Sequence, residues 1–201
     1  QPHIGNYGLN AEDDESARAW VAGFVVREVS PVVSNWRATE SLDEYLRRRQ
    51  VVGITGVDTR ALVRHIRIHG AMNAALSSLD TDADRLVTLA RSARDMNGLD
   101  LASEVTCAEA YYWEQADGGW GMRWTPDPDR PTYRVVAYDF GIKRNILRLL
   151  AAHNCRVTVV PAQTTAEEVL ALNPDGIFLS NGPGDPAAVR YAIANVRQLL
   201  G

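Results

Sequence analysis

Residues 176–186 read Gly176-Ile177-Phe178-Leu179-Ser180-Asn181-Gly182-Pro183-Gly184-Asp185-Pro186. A short apolar run that empties into alternating glycine and proline predicts a buried strand closed by a rigid strand-to-helix loop. Gly182 and Gly184 carry no Cβ, so a ligand can approach the main chain closely there. Pro183 and Pro186 fix their own φ and bias the residues before them toward extended backbone. Such a loop can aim N–H groups at a developing negative charge, the task of an oxyanion hole. It is not a nucleotide phosphate loop, because no Gly-Lys-Ser/Thr follows. It is not a dinucleotide fingerprint either, because the glycines follow the third strand of the pattern rather than the first. ATP is therefore not expected to bind this chain.

The sequence around the loop is regular. Tyr133 to Tyr138 reads as a buried strand, Lys143 to His153 as a helix with Ile146, Leu149 and Leu150 on one face, and Arg156 to Val160 as a second strand. Thr165 and Glu168 form a capping box that opens a helix through Leu172. Gly176 to Leu179 is the third strand, and Ala187 to Leu200 the next helix, with Asp185 placed to cap it. Strand, helix, strand, helix, strand, loop, helix is half of a doubly wound, flavodoxin-like parallel sheet. Ligands of such sheets bind beyond the carboxyl ends of the strands, where both Asp139-Phe140-Gly141 and the Gly-Pro-Gly loop fall.

Upstream the pattern is irregular. Tyr111-Tyr112-Trp113 and Trp120 to Trp124 flank Asp117-Gly118-Gly119 and read as an aromatic hairpin. Pro126 to Pro131 reads as an extended linker. The division expected from this is a first domain at 1–125, a linker at 126–132, and a second domain at 133–201. Within the first, Trp20 to Val29 reads as a strand, and Ser41 with Glu44 as a capping box opening a helix that ends near Arg49. Val51 to Val57 reads as a glycine-interrupted strand. Asp58 caps a helix carrying Leu62 and Ile66 and closed by Gly70, and Thr81 to Arg94 has helical spacing. The first domain is thus α+β, of β/β/α type, and the whole chain α/β.

Bulk composition narrows the classes. The chain has 201 residues, 46% hydrophobic and 23% charged, with net charge −4. That is ordinary globular composition, with no basic face to favour nucleic acid. No apolar run is long enough to span a membrane. Two cysteines without a pairing motif fit a reducing compartment, and a cytoplasmic location is expected. The opening Gln1-Pro2-His3, without Met, is expected of a stretch inside a longer gene product.

Several strings together carry a family resemblance. They are Pro2-His3-Ile4-Gly5-Asn6, Ser34-Asn35-Trp36-Arg37, Asp58-Thr59-Arg60, Tyr138-Asp139-Phe140-Gly141-Ile142-Lys143-Arg144-Asn145, Val159-Val160-Pro161-Ala162, and Asn173 through Pro186. On them the chain resembles, along essentially its whole length, the small, glutamine-hydrolysing subunits of carbamoyl phosphate synthetases. These belong to the class I glutamine amidotransferases. The resemblance implies cleavage of glutamine to glutamate and ammonia. The ammonia passes through a tunnel to a large subunit, which makes carbamoyl phosphate from bicarbonate for pyrimidine and arginine synthesis. ATP and magnesium sit on that large partner, with no cofactor and no metal in this chain. It also implies that Gly182 and Gly184 bind glutamine, the Gly182 amide being one of two oxyanion donors. The nucleophile is a Cys on a strand-to-helix elbow, assisted by a His and a Glu. No Gly-x-Cys-x-Gly occurs here, so the elbow is expected beyond residue 201, and a glutamine-contacting Ser before residue 1. The chain then reads as an internal fragment with no catalytic residue of its own, inactive alone.

The other reactive residues read as structural. Cys155 precedes its strand at the wrong end for an elbow, and Cys107 lies in an irregular stretch. His65 and His69 are four apart on one helix but lack further ligands at metal spacing. His153 ends a helix, where it favours the dipole. Asp139, Lys143 and Arg144 are expected in structural and interface roles. The competing function is a non-catalytic module that docks the large subunit. A Gly-x-Cys-x-Gly elbow in the next ~80 residues of the gene discriminates between the two.

Overall fold

The computed structural model describes residues 3–4, 7–96, 98–116 and 127–201. They form two compact units that divide between Asp95 and Met96.

The first unit is α+β. Strand β1 (His3–Ile4), β2 (Gly23–Val25), β3 (Glu28–Val29), helix α1 (Leu42–Arg48), β4 (Val52–Ile54), α2 (Thr59–His69) and α3 (Ala83–Ser92) follow in order. β1 pairs parallel with β3, and β2 parallel with β4. The single strand expected over Trp20 to Val29 is therefore two short ones with different partners. Between them Val26 is buried and donates its N–H to the Ile54 carbonyl at 3.0 Å. The helix starts follow their caps. Ser41 and Glu44 make both bonds of the capping box, and the Asp58 side chain accepts from the Ala61 N–H. α3 starts later than Thr81, because Asp82 is the cap, accepting from Asp84 and Arg85.

The second unit holds α4 (Ala102–Val105), β5 (Tyr111–Trp113), β6 (Tyr133–Asp139), α5 (Arg144–Ala152), β7 (Cys155–Pro161), α6 (Ala166–Ala171), β8 (Gly176–Leu179) and α7 (Arg190–Leu199). The sheet order is β5-β7-β6-β8, with β6, β7 and β8 parallel and β5 antiparallel at one edge. The chain goes from β6 to β7 on one side, then back across β6 to β8 on the other. Right-handed crossovers in opposite directions put the connecting helices on opposite faces. The core shows this through period-two alternation along each strand. Ala137, Val157, Val159 and Phe178 pack with Leu147 and Leu150 of α5. Val136, Tyr138, Val160 and Ile177 pack with Val169 of α6 and Leu199 of α7. This is the start of a doubly wound sheet, and its strand order reverses between β6 and β8.

Three local expectations change. Tyr111–Trp113 pairs with Val157–Val159 of β7, so among the described residues this aromatic strand is the edge of the second unit's sheet. The other arm and turn of the expected hairpin, 117–124, lie outside the described residues. The division of compact units accordingly falls upstream of 126–132. Residues 127–130 are tacked to the end of α5 by Asn154, whose side chain accepts from the Asp127 N–H at 2.7 Å. Finally, the helix expected from Ala187 is split. Asp185 caps a short 3₁₀ turn, Pro186–Ala188, through the Ala187 N–H at 2.9 Å. Val189, at φ −90° and ψ 61°, separates that turn from α7.

Candidate functional site

The site is built where the sheet order reverses, from the carboxyl ends of β6 and β8. Beyond β6, buried Asp139 accepts from the Gly141 and Ile142 N–H groups at 2.9 and 2.8 Å through one oxygen. Its other oxygen accepts from the Cys107 N–H at 2.8 Å. Three amides on one carboxylate turn the chain sharply at Phe140 and Gly141, and Gly141 takes φ +116° to do so. Asp139 is thus a structural staple, the role expected for it. Beyond β8, buried Ser180 accepts from the Phe140 N–H at 2.9 Å and donates to the Asn181 carbonyl at 3.0 Å. This hydroxyl ties the two strand ends together.

The glycines of the loop are demanded first by their protein neighbours. A Cβ on Gly182 would stand 2.6 Å from the Phe140 carbonyl oxygen and 2.9 Å from its Cβ. Gly184 takes φ +83°, and a Cβ there would lie 3.4 Å from the Leu101 side chain. Both glycines remain solvent-exposed. The loop therefore lies directly on the Phe140 turn, with its free side toward a groove of about 560 Å³. Ala102, Phe140, Ser180 and the loop line it, together with Val189, Ile193 and Arg197. The groove is mainly apolar with a few polar groups, the general pattern of a small-molecule site.

Neither cysteine is set up as a nucleophile. Burial, and then the Asp139 carboxylate, push the Cys107 thiol up to about 11. Burial raises the Cys155 thiol as well. A reactive thiol needs the opposite, an environment that favours the thiolate. The His65 and His69 rings lie 4.4 Å apart between centroids, tilted by 43°. Among the described residues no group of three His, Cys, Asp or Glu side chains could hold a metal ion. No helix among them is long and apolar enough to cross a membrane.

Sequence reasoning missed the segment before β5. Leu101 precedes α4 and Val105 ends it, and Val105 comes within 3.1 Å of where a Gly141 Cβ would stand. Thr106 accepts from the Ala162 N–H at 2.9 Å, beyond the end of β7. The signal available was an apolar i, i+4 pair on a four-residue helix, too short to register as periodicity.

The likeness to known proteins follows the two halves of the chain. Residues 136–201, β6 through α7, match the family model for glutamine amidotransferase class-I. Residues 1–76 match the model for the carbamoyl-phosphate synthase small chain, CPSase domain. The sheet and its loop are thus of the class I glutamine amidotransferase type. Along its whole length the chain is similar to carbamoyl phosphate synthase small chains. It is 56% identical over 202 residues to the carbamoyl phosphate synthase small chain of Syntrophotalea carbinolica, covering 100% of this chain and 53% of that relative. It is 50% identical over 204 residues to those of Pseudomonas aeruginosa and Escherichia coli, covering 99% of this chain and 53% of each. The chain spans about half the length of the curated relatives it matches.

Proposed function

We propose that this chain is the loop-bearing part of a glutaminase subunit of carbamoyl phosphate synthetase. The observation that carries the reading is the Gly182-Pro183-Gly184 loop at the carboxyl end of β8, held against the end of β6 where the strand order reverses. In the proposed reaction a cysteine thiol gives its proton to the histidine and attacks the side-chain carboxamide of glutamine. The carbonyl π electrons move to oxygen; as they return, the histidine hands the proton to nitrogen, the C–N bond breaks, and ammonia leaves as the thioester forms. Water then releases glutamate and frees the thiol. The Gly182 amide faces the oxyanion of each tetrahedral intermediate, where one such donor contributes about 2.7–4 kcal/mol. The apolar groove beside the loop lowers the local dielectric around that charge.

Cys107 and Cys155 do not serve as the nucleophile, since burial holds both thiols protonated. The cysteine, histidine and glutamate of the reaction belong to other parts of the full-length protein, and the 201-residue chain by itself is inactive. The ammonia passes to the large subunit, where ATP and magnesium act on bicarbonate. The complex is cytoplasmic, and its product serves pyrimidine and arginine synthesis.

The test is glutamate release from glutamine by the full-length gene product, alone and with its large partner. Glutamine hydrolysis that rises when the partner turns over supports the reading. A full-length product that binds the partner but releases no glutamate sinks it in favour of a docking module without catalysis.

A further inference from the structure

The loop that bears Gly182 and Gly184 touches two parts of the protein, and only one of them is the sheet. Gly182 lies on the Phe140 turn, with the Phe140 carbonyl 2.6 Å from where a Gly182 Cβ would be. Gly184 lies against the segment 100–107. The Leu101 Cβ, Cγ and Cδ1 atoms are all 3.4 Å from the position of a Gly184 Cβ, so this side chain lies flat on the glycine. Gly141 is held between Val105 Cγ2 at 3.1 Å and Pro183 Cδ at 3.5 Å, again measured from its absent Cβ.

The segment is itself anchored at both ends. Asp100 accepts from the Tyr191 hydroxyl of α7 at 3.2 Å and from the Ser103 N–H at 3.1 Å. At the other end Cys107 donates to Asp139, and Thr106 accepts from Ala162. Buried Ala102, between these anchors, lines the groove.

From this we infer that α4 and its flanks form a brace that sets the position of the Gly182–Gly184 amides, with Leu101 and Val105 as positioning residues. The inference rests on the proposed role of the loop in glutamine binding. The physical reason is that a glycine–proline loop has fixed torsions but no side chains with which to hold its place. Its position therefore comes from what presses on it. Sub-ångström placement is what a donor to an oxyanion needs, and displacement of about 1 Å can cost up to 10²-fold.

The experiment uses the full-length protein in complex with its large partner. Leu101→Ala and Val105→Ala are compared with wild type in glutamine-dependent synthesis and in synthesis from added ammonia, which bypasses the loop. The expected result is a fall of about tenfold in kcat/KM for glutamine with both variants, carried mostly by kcat, and ammonia-dependent rates near wild type. Leu101→Met, which restores apolar volume on Gly184, returns kcat/KM to within about twofold. Unchanged kcat/KM for glutamine in both alanine variants, with wild type active, overturns the brace. Equal losses with glutamine and with ammonia overturn it too, since general destabilisation then accounts for them. A wild-type complex that uses ammonia but releases no glutamate from glutamine instead overturns the reading beneath it.

Discussion

At the scale of single residues, glycines of the same type have opposite tolerance. Gly182 has no room for a methyl group, whereas a Cβ on Gly176, at the start of β8, would meet nothing within 4 Å. We predict that Gly182→Ala lowers stability by about 1–3 kcal/mol through overpacking on Phe140. Gly176→Ala is neutral or stabilises by up to about 1 kcal/mol, because it restricts the unfolded chain without strain. Urea midpoints of the two variants check this, and equal shifts would show that the Phe140 contact yields freely. Cys107 gives a pH signature. Its thiol rises from 9.0 to about 11 on folding, so the folded state keeps a proton that the unfolded state has lost. This contribution to stability is complete below pH 9 and is lost as pH rises toward 11. Cys107→Ser should flatten the stability profile over that window. The sequence showed that residues 182 and 184 needed glycine, but the reason it suggested was ligand approach. Phe140 and Leu101, remote in sequence, supply a second reason that no local pattern encodes.

At the scale of elements, legibility followed the strength of local chemistry. The Ser41/Glu44 and Thr165/Glu168 capping boxes each make their reciprocal bonds. The Gly70 that closes α2 takes φ +87° and ψ 179°, a conformation open essentially only to glycine. For α6, we expect Thr165→Ala to cost about 1 kcal/mol in chemical denaturation. Hydrogen bonds from the Thr165 N–H and hydroxyl hold the Glu168 carboxylate below 4.5, so the cap's effect is present above that pH and fades as pH falls through it. A Thr165→Ala deficit that stays the same from pH 7 to pH 3 would contradict this origin. The elements that were misread lacked such signals. The run from Trp20 to Val29 has its one glycine, Gly23, inside β2 and no turn residue at the break, yet it breaks at Val26 and Arg27 because β2 and β3 have different partners. Tyr111–Trp113 was legible as an aromatic strand, but its pairing with β7 was not, since an aromatic run does not name its partner strand.

At the scale of the whole molecule, the sheet ends on β8, which among the described residues pairs only with β6. An unpaired strand edge is a template for association. On α2, Leu62, Val63 and Ile66 are exposed as well. We therefore expect the 201-residue chain, prepared alone, to self-associate as its concentration rises. Sedimentation over a concentration series checks this, and a sample that stays monomeric and melts cooperatively contradicts it. The sequence by itself determined the alternation of strands and helices in the second unit, the caps, the loop and the family resemblance. Each of these is written in short-range periodicity or in a contiguous string. Only the tertiary structure decided the order β5-β7-β6-β8, and with it the reversal that places the loop beside the end of β6. It alone decided that Phe140 and Leu101 lie against that loop. The physical reason is that periodicity reports which face of an element is buried, not what lies against it. That is set by packing between segments that meet only when the sheet is assembled.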